Sequence, residues 1–249
     1  MSAPEAVAFA AWCFAVALAG GLVGLVLGNI RLPAVLLVAA SPASAGGANI
    51  AISGVAAATA SVGHIRAGRI NWRLFAWMAP PSVAGALVGG YLAGVVPDEA
   101  VLLGIAVVLV YSGVDLLRRK PQPRPADQEL DVRAAVLSGA AIGLLGGFVG
   151  LILGSLRMPA LLRLVGETPA RAVGTNLLVG VLVGIAGLLG HLPGAAPDLG
   201  IVLVGSAASI PGALLGARLT GRLSEDQLVK AIGVVLLVAG AAAAAQALT

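Results

Sequence analysis

Charge is what this sequence has least of. Only 10% of its 249 residues are Asp, Glu, Lys or Arg, against about 25% in a soluble domain. A water-facing surface cannot be assembled from so few, which excludes a freely soluble globular protein. Aromatic residues are also scarce, at 4%, and the alternating pattern of a membrane β-barrel is missing. The single cysteine, Cys13, rules out an intramolecular disulfide and says nothing of compartment. No Gly-x-x-x-x-Gly-Lys-[Ser/Thr] run occurs, so the sequence shows no ATPase loop. Gly-x-Ser-x-Gly and His-x-x-x-His spacings are missing too, which ranks an intramembrane enzyme behind other functions.

What is abundant is apolar. Hydrophobic residues make up 59% of the chain, mean hydropathy is +1.03, and there are 35 glycines. Apolar runs of about 18 residues or more recur, each long enough to cross a bilayer as a helix. Small residues let such helices approach closely in lipid. The composition predicts an all-α polytopic protein of the cell membrane. The formal charge of +4 does not point to nucleic acid, because most basic residues sit in short segments between apolar runs. The N-terminus has no basic stretch before its first apolar run, which reads as a retained helix.

In order, apolar material spans 6–26, is interrupted over Gly28–Pro33, and resumes over 34–40. Breaks at Ser41-Pro42 and Gly46-Gly47 precede a helix expected from Ile50 to Gly63. Two further spans, 74–94 and 100–117, flank the acidic turn Pro97-Asp98-Glu99. A Pro-rich, charged linker, 118–133, separates a first unit (1–117) from a second (134–249).

The second unit repeats the first. Arg31-Leu32-Pro33 returns as Arg157-Met158-Pro159, displaced by 126 residues. After one inserted residue the displacement is 127: Pro42 to Asn49 returns as Pro169 to Asn176, His64 matches His191, and Gly85-Ala86-Leu87 matches Gly212-Ala213-Leu214.

Lys and Arg near span ends set orientation. The stretch 64–73 carries three and the linker five, while the N-terminus and the Pro97 turn carry none. In the second unit the bias swaps: 191–198 has none, and Arg218 and Arg222 lie in the turn matching Pro97. Inverted repeats produce this swap. They require an odd number of crossings per unit, with residues 6–40 forming a re-entrant hairpin or two tilted crossings. Four crossings per unit would instead make the repeats parallel.

At these residues the chain resembles the sulfite exporter TauE/SafE family, also called the 4-toluene sulfonate uptake permease family. The resemblance covers both units. It is carried by the Gly-rich runs ending in Pro33 and Pro159, the Pro-x-x-Ala-x-Gly-x-Asn elements at 42–49 and 169–176, and the basic stretch from Gly63 to Arg73. The paired arginines depart from the family's usual three glycines ahead of the proline. The resemblance implies transport, by export or uptake, of sulfite, sulfonates or related small anions.

The candidate substrate site starts from Arg31 and Arg157. A charge at a helix centre costs about 2.5–3.5 kcal/mol or more to insert, and a guanidinium offers a planar fork of donors to an oxyanion. Both would lie near mid-depth as an anion clamp; the alternative is snorkelling to headgroups. Asn29 and Ser155 stand beside them at equivalent positions, and Asn49, Asn176 and Thr175 follow. These five either orient the anion or simply bond helices together. Helix starts at Ser41-Pro42 and Thr168-Pro169 are expected to add backbone donors. Glu167, His64 and His191 are candidate proton-coupling groups, with an interfacial or helix-start role as the alternative. No metal or other cofactor is expected. The expected partners are a small anion, the bilayer and, as an open possibility, further copies of the chain, with no nucleic acid. The resulting expectation is a secondary transporter, an exporter working by alternating access; the alternative is a passive anion channel on the same scaffold.

Overall fold

The computed structural model describes residues 1–92, 98–118, 130–148, 152–191 and 197–248. The chain forms α1 (Ala3–Val23), α2 (Gly28–Val38), α3 (Pro42–Arg66), α4 (Trp72–Tyr91), α5 (Asp98–Arg118), α6 (Val132–Phe148), α7 (Gly154–Ala160), α8 (Pro169–His191), α9 (Leu199–Thr220) and α10 (Glu225–Ala247). A π-helical turn, Leu161–Val165, continues α7. Among the described residues there is no strand. Helices α1, α3, α5, α8, α9 and α10 are each long and apolar enough to cross a membrane.

Helix starts follow local sequence. Ser41 Oγ accepts from Ser44 N at 3.2 Å ahead of Pro42, and Asn71 Oδ1 accepts from Leu74 N at 3.0 Å to open α4. Asp198 caps α9, and Ser224 forms a reciprocal capping box with Gln227 at α10. Each satisfies a backbone donor that the first helical turn leaves unpaired.

The first interruption falls earlier than the sequence suggests. Gly28–Pro33 is helical; the break is at residues 24–27, and α3 begins at Pro42 instead of near Ile50. Two side-chain effects explain this. Gly24 ends α1 at φ 73°, and a Cβ there would lie 2.5 Å from Val173 Cα, so only glycine fits the turn. Pro33 deprives the Asn29 carbonyl of its helical donor, and Gln246 Nε2 replaces it at 2.7 Å. The helix runs through its proline because α10 supplies the missing bond.

Glycine contacts show how the helices lie. A Cβ added at Gly212 or Gly216 of α9 would stand 2.4 Å from Phe14 O or 2.2 Å from Leu18 O of α1. At Gly85 or Gly89 of α4 it would stand 2.4 Å from Ala140 O or 2.1 Å from Leu144 O of α6. In both pairs residue numbers rise together, so α1 and α9 run the same way, as do α4 and α6. Ile52 meets Gly205 and Gly63 meets Ala217, which makes α3 parallel to α9. Gly113 meets Gly233 and Gly240 meets Ala106, so α5 and α10 are antiparallel.

Helices α1, α3, α5 and α9 therefore end where α4, α6, α8 and α10 begin. That end holds Arg66, Arg69, Arg73, Arg118, Arg133, Arg163, Arg171, Arg218, Arg222 and Lys230; the described residues of the opposite end hold no Lys or Arg. Between the parallel helices α1 and α3, the chain returns through the break at 24–27 and α2.

Candidate functional site

The two interruptions cross inside the bundle. Asn49 Nδ2 donates to Gly28 O at 3.0 Å, tying the first residue of α2 to α3. Asn176 Nδ2 donates to Gly154 O at 2.8 Å, tying the first residue of α7 to α8 in the same way. Asn176 Nδ2 also reaches Gly24 O at 2.7 Å, at the end of α1. A Cβ at Gly154 would lie 3.2 Å from Val26 N, so the first residue of α7 lies directly against the break at 24–27.

Around this crossing lie two narrow cavities. One is lined by Gly28, Asn29, Asn49, Ser53 and Ser155, with an apolar wall that includes Leu102 and Ile105; it admits little more than a single water. The other is lined by Arg31, Ser53, Gly20, Gly21 and Leu177. Ser53 and Val26 border both. The first cavity meets the N-terminus of α2, where Leu27 supplies no side-chain cap, so first-turn N–H groups carry partial positive charge there.

Arg31 and Arg157 are 1% and 0% exposed, and neither forms an ion pair among the described residues. Arg31 Nη1 donates to Ser53 Oγ at 2.9 Å, halfway along α3. Arg157 Nη1 donates to Asn176 Oδ1 at 3.0 Å. The residue displaced by 127 positions from Ser53 is Gly180, which has no hydroxyl to offer. Asn49 Oδ1, Arg31 Nε, Arg157 Nε and Arg157 Nη2 are buried without a hydrogen-bond partner among the described residues. Arg31 borders the second cavity; Arg157 borders neither of the two.

The remaining predicted residues divide by position. Asn29 and Ser155 both border the first cavity, and Asn29 Nδ2 also donates to Ala239 O at 3.0 Å. Thr175 Oγ1 accepts from Asn71 N at 2.9 Å. Glu167 is buried at the Arg-rich end, accepting from Asn71 Nδ2 and from Thr168 N at 2.7 Å. His64 is fully buried, in the last turn of α3 at the Arg-rich end: Nε2 donates to Gly21 O at 3.1 Å, and Nδ1 accepts from Arg69 Nη1 at 3.3 Å. The side chain of His191 lies outside the described residues. The Ser41-Pro42 start is at the opposite, exposed end of α3, capped by its own serine, and Thr168-Pro169 is at the Arg-rich end. Neither start lines the two cavities, whereas Gly28 and Asn29 at the start of α2 line the first.

Sequence reasoning did not single out Ser53 or Gln246. Ser53 stands four residues after Asn49, on the same face of α3, and that spacing was its only signal. Gln246 has none, because its partner is 217 residues away.

The model of the family described as "Sulfite exporter TauE/SafE" matches residues 9–243. A "Probable membrane transporter protein" from Xylella fastidiosa (strain Temecula1 / ATCC 700964) is 28% identical over 240 residues, 88% of this chain and 89% of that protein. "Probable membrane transporter protein YdhB" from Bacillus subtilis (strain 168) is 23% identical over 183 residues, 71% of this chain and 74% of that one. No solved structure matches the chain. With its apolar helices and a family match along nearly its whole length, this multi-pass membrane protein belongs to the sulfite exporter TauE/SafE family of membrane transporters.

Proposed function

We propose that the chain is a secondary transporter that exports a small organic or sulfur-containing oxyanion by alternating access. The observation that carries this is the pair Arg31 and Arg157: two guanidinium groups buried mid-bundle, without a carboxylate partner among the described residues and with unpaired N–H donors. Burying an uncompensated charge costs several kcal/mol. An anion entering the cavity beside Arg31 would offset that cost there, and the N-terminus of α2, on the adjoining cavity, favours the same sign.

The scaffold reads as two inverted repeats, 1–117 and 134–249, joined by the linker 118–133. Support comes from exchange of partners: α1 packs on α9 as α6 packs on α4, through glycines at matching positions. Five passes per unit, counting the break plus α2 as one, reverse the direction of the second unit. The positive-inside rule puts the Arg-rich end in the cytoplasm. Such repeats permit one unit to rock against the other around a midplane site. The narrowness of both cavities favours a carrier over an open pore. An anion leaving a negative interior gains about 2.3 kcal/mol per charge per 100 mV; Glu167, His64 and His191 are the groups to examine for proton coupling.

The test is thermal stability of the detergent-purified protein with sulfite, thiosulfate, alkyl sulfonates and carboxylates. A ligand bound only by the folded state raises the melting temperature. Arg31→Gln and Arg157→Gln should keep the fold and lose the shift. An undiminished shift in both variants rejects the site.

A further inference from the structure

The two asparagines that anchor the broken helices are equivalent in sequence and unequal in chemistry. Both polar atoms of Asn176 are engaged: its amide hydrogens go to Gly24 O and Gly154 O, and its oxygen receives Arg157. Asn49 is 2% exposed and differs at one atom. Its Nδ2 is committed to Gly28 O, which can only accept, so the amide orientation is set by its partner. Its Oδ1 has no partner among the described residues and belongs to a residue lining the first cavity. Arg31, which would fill that role by analogy with Arg157, is held instead by Ser53.

An unpartnered acceptor beside an anion site is informative because oxyanion oxygens are themselves acceptors and repel it. Resting on the transporter reading above, we infer that the transported anion carries its own hydrogen-bond donor, an O–H or N–H, which Asn49 Oδ1 receives. The oxyanion oxygens then face the first-turn N–H groups of α2 and the Ser155 hydroxyl, in a cavity that has to widen from this water-sized state during transport to admit them. The apolar wall at Leu102 and Ile105 takes the carbon skeleton. An anion with acceptors only leaves Oδ1 unpaired in a buried site, and a site built around a hydrogen bond discriminates against the ligand that lacks it. The competing occupant is an ordered water, which would satisfy the same atom whatever the anion.

Two probes of equal carbon skeleton decide between them: ethanesulfonate and 2-hydroxyethanesulfonate, titrated into the detergent-purified full chain with thermal shift and calorimetry as readouts. The expected result is roughly 3–10-fold tighter binding of the hydroxylated probe, with the ratio collapsing toward one in Asn49→Leu even if both affinities fall. Equal binding in the unsubstituted protein overturns the inference and leaves the anion site standing, as does a preference that persists in Asn49→Leu. Should Asn49→Leu fail to fold, the unsubstituted protein's ratio alone decides. If neither probe nor any other small anion binds, the transporter reading fails and this inference falls with it.

Discussion

Asn176 donates to the carbonyl of Gly24 at 2.7 Å across 152 residues of sequence. The same side chain holds Gly154 and Arg157, so one amide fastens both chain breaks and one of the two buried guanidinium groups.

Removing that amide should be costly. Asn176→Leu leaves two carbonyls and a guanidinium without a partner, each unsatisfied group worth about 1–3 kcal/mol when buried. A loss of roughly 2–4 kcal/mol is expected, seen as a large fall in melting temperature in detergent. A shift within a degree of the parent would show that the crossing does not depend on this residue.

The interplay of Pro33 and Gln246 gives a double-mutant test. Gln246→Leu strands the Asn29 carbonyl and should destabilise by about 1–2 kcal/mol. Pro33→Ala restores the helical donor to that carbonyl, so the second substitution should cost little in its background. Additive effects in the cycle would separate the two residues.

Helix contacts predict a matched pair of steric failures. Gly89→Ala and Gly216→Ala each force a methyl to within 2.1–2.2 Å of a carbonyl oxygen, and overpacking costs about 1–3 kcal/mol. Gly54→Ala meets nothing within 4 Å and should be neutral or stabilising by up to about 1 kcal/mol through helix propensity. Thermal denaturation of the three variants reads the difference.

Orientation is open to chemical labelling. In a Cys13→Ser background, Arg66→Cys and Arg222→Cys should react with an impermeant thiol reagent only after the cytoplasmic side is opened. Glu99→Cys and Leu199→Cys should react from outside in intact cells. All four positions are exposed. Labelling of Arg66→Cys and Arg222→Cys from opposite sides would rule out inversion.

The ion pair between Arg163 and Asp115 fastens the π-helical turn after α7 to α5, with Tyr111 beneath the guanidinium. Leu37, displaced by 126 residues from Arg163 as Arg31 is from Arg157, is 86% exposed. Asp115→Asn should destabilise by about 1–3 kcal/mol, because both side chains are partly buried. The reciprocal Leu37→Ala should change stability by less than about 0.5 kcal/mol. Melting temperatures of equal size for the two variants would contradict this asymmetry.

Composition and spacing by themselves determined that the protein is helical and lives in a bilayer, and they singled out Arg31 and Arg157, each two residues ahead of a proline. Those features are local or periodic, and scarcity of charge has a single physical solution. Tertiary structure alone decided that the first break is at Gly24, because the reason is contact with Val173, and that α2 runs through Pro33, because Gln246 replaces the lost donor. It likewise decided the unequal states of Asn49 and Asn176. Hydrogen-bond satisfaction depends on partners hundreds of residues away, and no linear pattern records which donor reaches which acceptor.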